Sequence, residues 1–333
     1  MNTFGRILRI SIFGESHGNG AGVTIDGAPP GVPFDEEAMT ADLARRRSGR
    51  AGTTPRREPD KPRILTGTFE GHTTGAPITV WFDNTNTRSR DYSQLVETPR
   101  PGHADLTAAR KYGGFQDYRG GGHFSGRITL GLVAAGALAK RIIAPTTVVA
   151  TLLKAGGRED IEAAVLAALA NEDSLGGLIE CVVTHMPIGI GEPFFDSVEA
   201  RLSHIVFSIP ATRGIEFGTG FAAADMRGSE HNDCIVDADG TTETNHAAGV
   251  NGGISNGNDL VFRVAIKPTS SVGCPQETYD FSLGHTRKLV VEGRHDACVA
   301  LRVPPVLEAA TALVLADLML TAKATAPLSQ PAT

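Results

Sequence analysis

The chain has 333 residues, 41% of them hydrophobic, with a formal net charge of −6. That length suits one large domain or two ordinary ones with a sizeable core, and the acidic balance excludes a surface given over to nucleic acid or anionic membrane. Four cysteines (Cys181, Cys234, Cys274, Cys298) without a C-x-x-C pair support neither a zinc ribbon nor a thioredoxin-like motif, and fit a reducing compartment better than a disulfide framework.

In chain order, the N-terminal MNTFGRILRI lacks the long apolar core of a signal peptide. ILRISIF at 7–13 alternates as a strand, and GVTID at 22–26 reads as a second, followed by the turn GAPPG. FDEEAMTADLARRR at 34–47 begins acidic and ends basic, the charge order that complements a helix dipole. After a Gly/Thr/Pro/Arg loop, RILTGTFEG and APITVWFDN predict two strands of a hairpin, with GHTTG between. DLTAARKYG at 105–113 is a short helix ended by glycine, and SGRITLGLVAAGALAKRIIA at 125–144 a long apolar helix, buried on most faces. REDIEAAVLAALANE at 158–172 is amphipathic and helical, whereas LGGLIECVVTHMP and DLVFRVAIKP read as strands. VPPVLEAATALVLADLMLTAKA is a second long apolar helix with Pro near its start. The longest apolar stretch, Ile128–Ala139, is short of the roughly 20 residues a membrane span needs, so a cytoplasmic protein bound to no membrane is expected. Without a fixed repeat, a linker or regular βαβ alternation, the expectation is one α/β domain over residues 1–323. It is of α+β type, with antiparallel sheets and a buried helical layer, and 324–333 form a disordered tail.

The 39 glycines cluster where chemistry is expected. GESHG at 14–18 fits the nucleophile elbow G-x-S-x-G, but an elbow needs a helix after its serine. The glycine-rich, Pro-broken NGAGVTIDGAPPG follows instead, which argues against Ser16 as a nucleophile. Its neighbour His17, flanked by small residues, could give or take a proton near neutral pH. Six arginines in RRRSGRAGTTPRR at 45–57 (Arg45, Arg46, Arg47, Arg50, Arg56, Arg57) suit a phosphate or carboxylate. They also suit a solvated basic loop. RNA binding is the further option, though no aromatic is interleaved for stacking. RPGHAD places His103 between a Pro-Gly turn and a helix. YRGGGHFSGR leads three glycines into a helix with Ser125 at its N-cap or first turn and Arg127 two positions on, a backbone anion site by type. GTGFAA at 218–223 fits G-x-G-x-x-A, but polar, Gly-broken sequence follows, so it is a chance match. KPTSS at 267–271 and GRHDAC at 293–298 offer a cation with hydroxyls and an Arg-His-Asp run. No zinc-ligand spacing is present.

Taken together, these stretches resemble the chorismate synthase family. The resemblance runs in order through FGESHG…DGAPPGVP, RRRSGR…RREPD, FEGHTTGAPI, RSRDYS, RPGHAD, YRGGG…SGR, GEPFFD, RGSEHND, NHAAGVNGGISNG, KPTSS and GRHDAC, over nearly the whole chain. It implies a lyase of the shikimate pathway to aromatic amino acids. Such an enzyme performs an anti-1,4 elimination of phosphate from 5-enolpyruvylshikimate 3-phosphate, giving chorismate with reduced FMN as transient electron donor. It further implies a β-α-β sandwich fold and a homotetramer, with either NADPH or an external donor reducing the FMN. Carried over residue by residue, His17 is the acid at the departing phosphate, His103 stabilises the charged reduced flavin, and Asp296 is the base, acting through the flavin N5. His123, Phe124, Ser125, Pro210, Ala211, Gly252, Lys267, Pro268, Thr269, Ser270, Ser271 and Arg294 fall at flavin-contacting positions, and Arg46, Arg50 and Arg127 at substrate-binding ones. Two departures stand out. His123-Phe124 replaces a commoner Arg-containing pair, and the region 150–175 is shorter than in many relatives.

Overall fold

The computed structural model describes residues 1–56, 58–87, 89–291 and 295–327. The chain opens with β1 (Thr3–Phe4), β2 (Arg9–Gly14) and β3 (Gly20–Asp26), then α1 (Glu36–Arg46). The Asp35 side chain caps α1 by accepting from the Ala38 amide, Glu36 and Glu37 occupy its first turn, and Arg45 and Arg46 its last. These are the charges the helix dipole favours at each end. Next come β4 (Arg63–Thr66), the small hairpin β5 (Thr68–Phe69) and β6 (His72–Thr73), and β7 (Ile78–Asp83). β1-β2-β3-β7-β4 form one antiparallel sheet, with Val23 opposite both Ile12 and Val80.

α2 (Asp105–Tyr112) ends on Gly113 in the left-handed region, as its terminal glycine predicts. α3 (Leu130–Ile142) is shorter than the expected 125–144 helix, because residues 126–129 coil as a 3-10 turn. There the Gly126 carbonyl accepts from Thr129 Oγ1 and from the Arg46 guanidinium. The second half contains β8 (Thr147–Ala155), α4 (Ile161–Ala170), β9 (Gly177–Thr184), α5 (Val198–Val206), β10 (Thr212–Phe217) and the single-turn α6 (Gly228–His231). It closes with β11 (Val250–Asn251), β12 (Ile254–Ser255), β13 (Leu260–Ile266), the hairpin β14 (Gln276–Asp280) and β15 (His285–Leu289), and α7 (Pro304–Ala324). β10-β13-β9-β8 form a second antiparallel sheet.

The fold is therefore a mixed α/β arrangement of antiparallel sheets and helices. α3 packs on β2 and β3, α7 on β8 and β9, and the two helices on each other. Their close approach has a sequence cause: a Cβ on Gly136 would lie 2.3 Å from the Ala309 Cβ. α7 is long and apolar enough by composition to cross a bilayer, yet residues 305–318 of it are buried in the protein. Burial in a core satisfies the same hydrophobic preference that a membrane would. One apolar cluster runs from Ile10, Val23 and Val80 through α3 and α7 to Ile179 and Phe262.

Candidate active site

A cavity of about 1000 Å³ opens where the first sheet, the 120–127 turn and the ends of β10 and β13 meet. That is the upper end of the roughly 300–1,000 Å³ typical of small-molecule sites, so two ligands can share it. Among the described residues its wall carries seven arginines and lysines against three carboxylates, Glu58, Asp60 and Asp296. A low-dielectric recess with that excess of positive charge selects an anionic ligand.

The excess is organised around Asp60. Met39, Leu43 and Arg46 share the buried face of α1, so the helix period that buries the first two turns Arg46 inward as well. Arg46 is 1% exposed. It donates to Thr129 Oγ1 and to the Gly126 and Arg127 carbonyls, each at 3.0 Å, and meets Asp60 Oδ2 at 3.4 Å. Asp60 Oδ1 takes Arg127 Nη1 at 2.7 Å. Arg127 also donates to Asn84 Oδ1 and the Asp83 carbonyl. Burial first, then the neighbouring Arg302 and Arg127, lower the Arg46 guanidinium to about 9, against the pull of Asp60. It remains cationic at neutral pH.

His17 is buried. Its ring meets Tyr92 edge-on, centroids 5.2 Å apart, and faces Gly120 so closely that a Cβ there would lie 2.5 Å from His17 Cδ2. Gly120 has φ +60, so glycine is required by both conformation and space. Ser16, Gly120 and Tyr92 line the cavity, and His17 sits behind them. The Ser16 hydroxyl accepts from Arg56 Nη1 at 2.9 Å, a donor where a serine nucleophile needs a base. After Gly14 the chain turns into β3 with no helix, so the elbow geometry is not formed. Arg56 is braced in turn by Glu58. Burial works against the Glu58 carboxylate, but bonds from Arg56 and Thr85 outweigh it and hold the group down at about 2.

On another wall, His103 Nδ1 lies 2.6 Å from Asp105 Oδ1, and Arg100 clamps Asp105 through both carboxylate oxygens. Burial opposes the Asp105 charge, but the Arg100 and His103 bonds outweigh it and hold Asp105 well below the usual carboxylate range. Arg100 Nη1 also reaches Ser271 Oγ at 2.8 Å. Lys267 Nζ bonds Ser270 Oγ and the Gly102 carbonyl, and burial with nearby Arg213 lowers its proton affinity. Lys267, Pro268, Thr269, Ser270 and Ser271 all line the cavity, as do Pro210 and Ala211. Thr212 Oγ1 and Thr269 Oγ1 on that wall are buried with no hydrogen-bond partner. Orphaned hydroxyls beside a charged recess are what a polar ligand would satisfy.

His123, Phe124 and Ser125 border the same space. Ser125 is the N-cap of the 3-10 turn, accepting from the Arg127 amide, while Gly120, Gly121 and Gly122 all take positive φ and are not yet helical. His123 bonds the Gly14 carbonyl through Nδ1 at 2.8 Å and Asn2 Oδ1 through Nε2 at 3.1 Å. Asp296 accepts from the Thr54 amide at 2.9 Å and from Arg302 at 3.3 Å. Two expected residues lie elsewhere. Arg50 is exposed and donates to the Arg45 and Leu301 carbonyls, and Gly252 sits on the exposed β11–β12 hairpin. Arg294 lies outside the described residues, as do Arg57, Arg88 and residues 328–333. GTGFAA forms part of a short 3-10 turn, Gly220–Asp225, with no crossover helix. Reading the sequence missed Asp60, Glu58, Tyr92, Arg100, Asp105, Thr212 and Arg302.

The family model described as chorismate synthase matches residues 8–320. The chain is 61% identical over 321 residues to a curated protein of Chitinophaga pinensis named chorismate synthase, covering 96% of this chain and 97% of that one. It is 40% identical to one of the same name from Methanocaldococcus jannaschii, with 96% of each covered. A solved structure titled "Crystal Structure of Chorismate Synthase" superposes with a TM-score of 0.74 at 26% identity, covering 96% of this chain and 93% of that one.

Proposed function

The chain belongs to the chorismate synthase family and carries out that family's reaction, and we propose how its own residues divide the work. The reaction is a lyase step of aromatic amino-acid biosynthesis, the elimination of phosphate from 5-enolpyruvylshikimate 3-phosphate to chorismate, and it requires a reduced flavin. The cationic wall, the two unpartnered hydroxyls and room for two ligands fit a phosphorylated dicarboxylate next to a flavin phosphate. When bound, reduced FMN would supply an electron to the substrate as phosphate leaves and recover it as the ring hydrogen departs, so that the elimination shows no net redox change.

The observation that carries the assignment is the Arg46–Asp60–Arg127 cluster on the wall of the same cavity as Ser16 and Gly120, the neighbours of His17. Arg46 and Arg127 hold the substrate phosphate as fixed cations in a recess that strengthens charge contacts. His17, whose ring packs against the side-chain-free Gly120 of the cavity wall, gives the leaving phosphate its proton. Asp296, steadied by the Thr54 amide and Arg302, receives the proton lost from the ring. His103 and the 123–125, 210–211 and 267–271 segments hold the flavin. Arg50, bonded to backbone carbonyls on both sides, braces the segment that carries Arg46. Gly252 lies outside the cavity of its own chain, so a flavin contact there calls for a second subunit. The exposed Phe194, Phe195 and Phe221 (89%, 90% and 86%) agree with burial in the homotetramer we propose. The β-α-β sandwich reading is supported by α3 packing on the first sheet and α7 on the second. We further propose a cytoplasmic enzyme. Whether an external donor or NADPH used directly reduces the FMN is decided by assaying NADPH-driven FMN reduction by the purified protein.

The test is anaerobic turnover with photoreduced FMN. His17→Ala lowers kcat by about 10²–10⁴, the worth of a positioned acid. Release of phosphate at the unmodified rate removes His17 from the mechanism.

A further inference from the structure

We propose that Asp105 is a positioning residue that fixes which nitrogen of His103 exchanges protons with the ligand cavity. Two groups meet His103 Nδ1. The Asp105 Oδ1 oxygen lies at 2.6 Å and the Arg100 Nη2 nitrogen at 3.0 Å. They ask for opposite tautomers, because an ionised carboxylate only accepts and a guanidinium only donates. The shorter contact decides. A bare lone pair on Nδ1 would face a carboxylate oxygen at 2.6 Å, acceptor against acceptor. Arg100 Nη2, by contrast, has another acceptor in Asp105 Oδ1 at 2.8 Å. Nδ1 therefore carries hydrogen and donates to Asp105 whether the ring is neutral or cationic.

Proton exchange is left to Nε2. That atom lies toward the turn at Gly121, where a Cβ would sit 3.6 Å from it, and His103 itself lines the cavity. The carboxylate cannot swing away, because its second oxygen takes both the Arg100 amide at 3.1 Å and Arg100 Nε at 2.8 Å. Arg100 is itself tied to Ser271. The charged groups facing His103 are thus Asp105 and Arg100 from its own segment and Lys267, whose Nζ reaches the Gly102 carbonyl, from the loop after β13. Arg100 and Asp105 thus orient the imidazole and leave Nε2 to the arriving anionic ligand. The ligand part rests on the assignment of His103 to the flavin wall made above.

The test reads the neutral tautomer directly, by two-bond ¹⁵N–¹H correlation in histidine-labelled free protein, with the His103 signals assigned by their loss in His103→Gln. Nδ1–H is expected in the wild type and in Asp105→Glu. Asp105→Asn, whose amide can donate to the ring, is expected to invert the tautomer to Nε2–H. Nε2–H in the wild type, or no change in Asp105→Asn, overturns the proposal, and the wild-type reading stands even if a variant fails to fold. In the same variant, binding of reduced FMN weakens about tenfold, the usual cost of losing an orienting partner, while oxidised FMN binding changes less. An inverted tautomer with both affinities unchanged upholds the role of Asp105 and refutes the assignment of His103 to the flavin.

Discussion

Asp60→Asn removes the carboxylate that bonds both Arg46 and Arg127. Removing one partner of a buried ion pair costs about 3–5 kcal/mol, because the remaining charge is left uncompensated. The 2.7 Å bond to Arg127 counts in full. The 3.4 Å contact to Arg46 counts for little, since Arg46 keeps three bonds at 3.0 Å to other oxygens. The expected loss is therefore about 3–4 kcal/mol, a fall in Tm of roughly 4–6 °C for a chain of this size. The variant also gains one net positive charge in an anion site. Inorganic phosphate should then bind it more tightly than it binds the wild type and restore about 1.4 kcal/mol at ten times its Kd. Thermal and urea unfolding in phosphate, against chloride at matched ionic strength, measures both effects. A loss under about 1 kcal/mol, or equal stabilisation of both proteins by phosphate, would refute the view that Asp60 balances the charge of these arginines in the free protein.

Gly120→Ala forces a Cβ to within 2.5 Å of His17 at φ +60, and is expected to lower kcat at least about 100-fold by displacing the imidazole; steady-state turnover at near-normal rate would mean that His17 tolerates the shift. Glu58 is held at about 2 in the folded protein against an ordinary 4.5, so its contribution is complete above pH 4.5 and lost as the pH falls toward 2. Glu58→Gln should accordingly cost about 3 kcal/mol at pH 7 and progressively less below pH 4.5, and a gap in urea stability that stays constant from pH 7 to pH 3 would contradict that account. Thr212→Val replaces a buried hydroxyl that has no partner, so the free protein should gain up to about 1 kcal/mol while flavin affinity falls; unchanged affinity by fluorescence titration would leave Thr212 outside the ligand site.

What the sequence disclosed follows from where the physical signal is local. The apolar runs of α3 and α7 and the terminal Gly113 of α2 are local, and all three elements form. β8 went unread because alternate residues of TVVATLLKA face solvent and only Val148, Ala150 and Ala155 are buried, too weak an alternation to separate from coil. The hairpin β14–β15 is largely polar and held by Asp280 bonds to Thr98 and Arg287, partners about 180 residues or a whole turn away, so no local pattern marks it. α5 did carry a cue, Ser197 accepting from the Ala200 amide. At the site the same division holds. Histidines and arginines advertise chemistry by type, but a buried guanidinium also requires a carboxylate to balance it. Asp60 and Asp105 lie inside the stretches RREPD and RPGHAD that carry Arg56, Arg100 and His103, so asking which acid balances each inward cation would have found both. Thr212 and Arg302 lie in no such stretch, and only the meeting of β10 with the segment before α7 brings them to the cavity. The histidines proposed for catalysis are thus legible by residue type, whereas Asp60 and Asp105 become legible only once charge balance in a buried space is demanded.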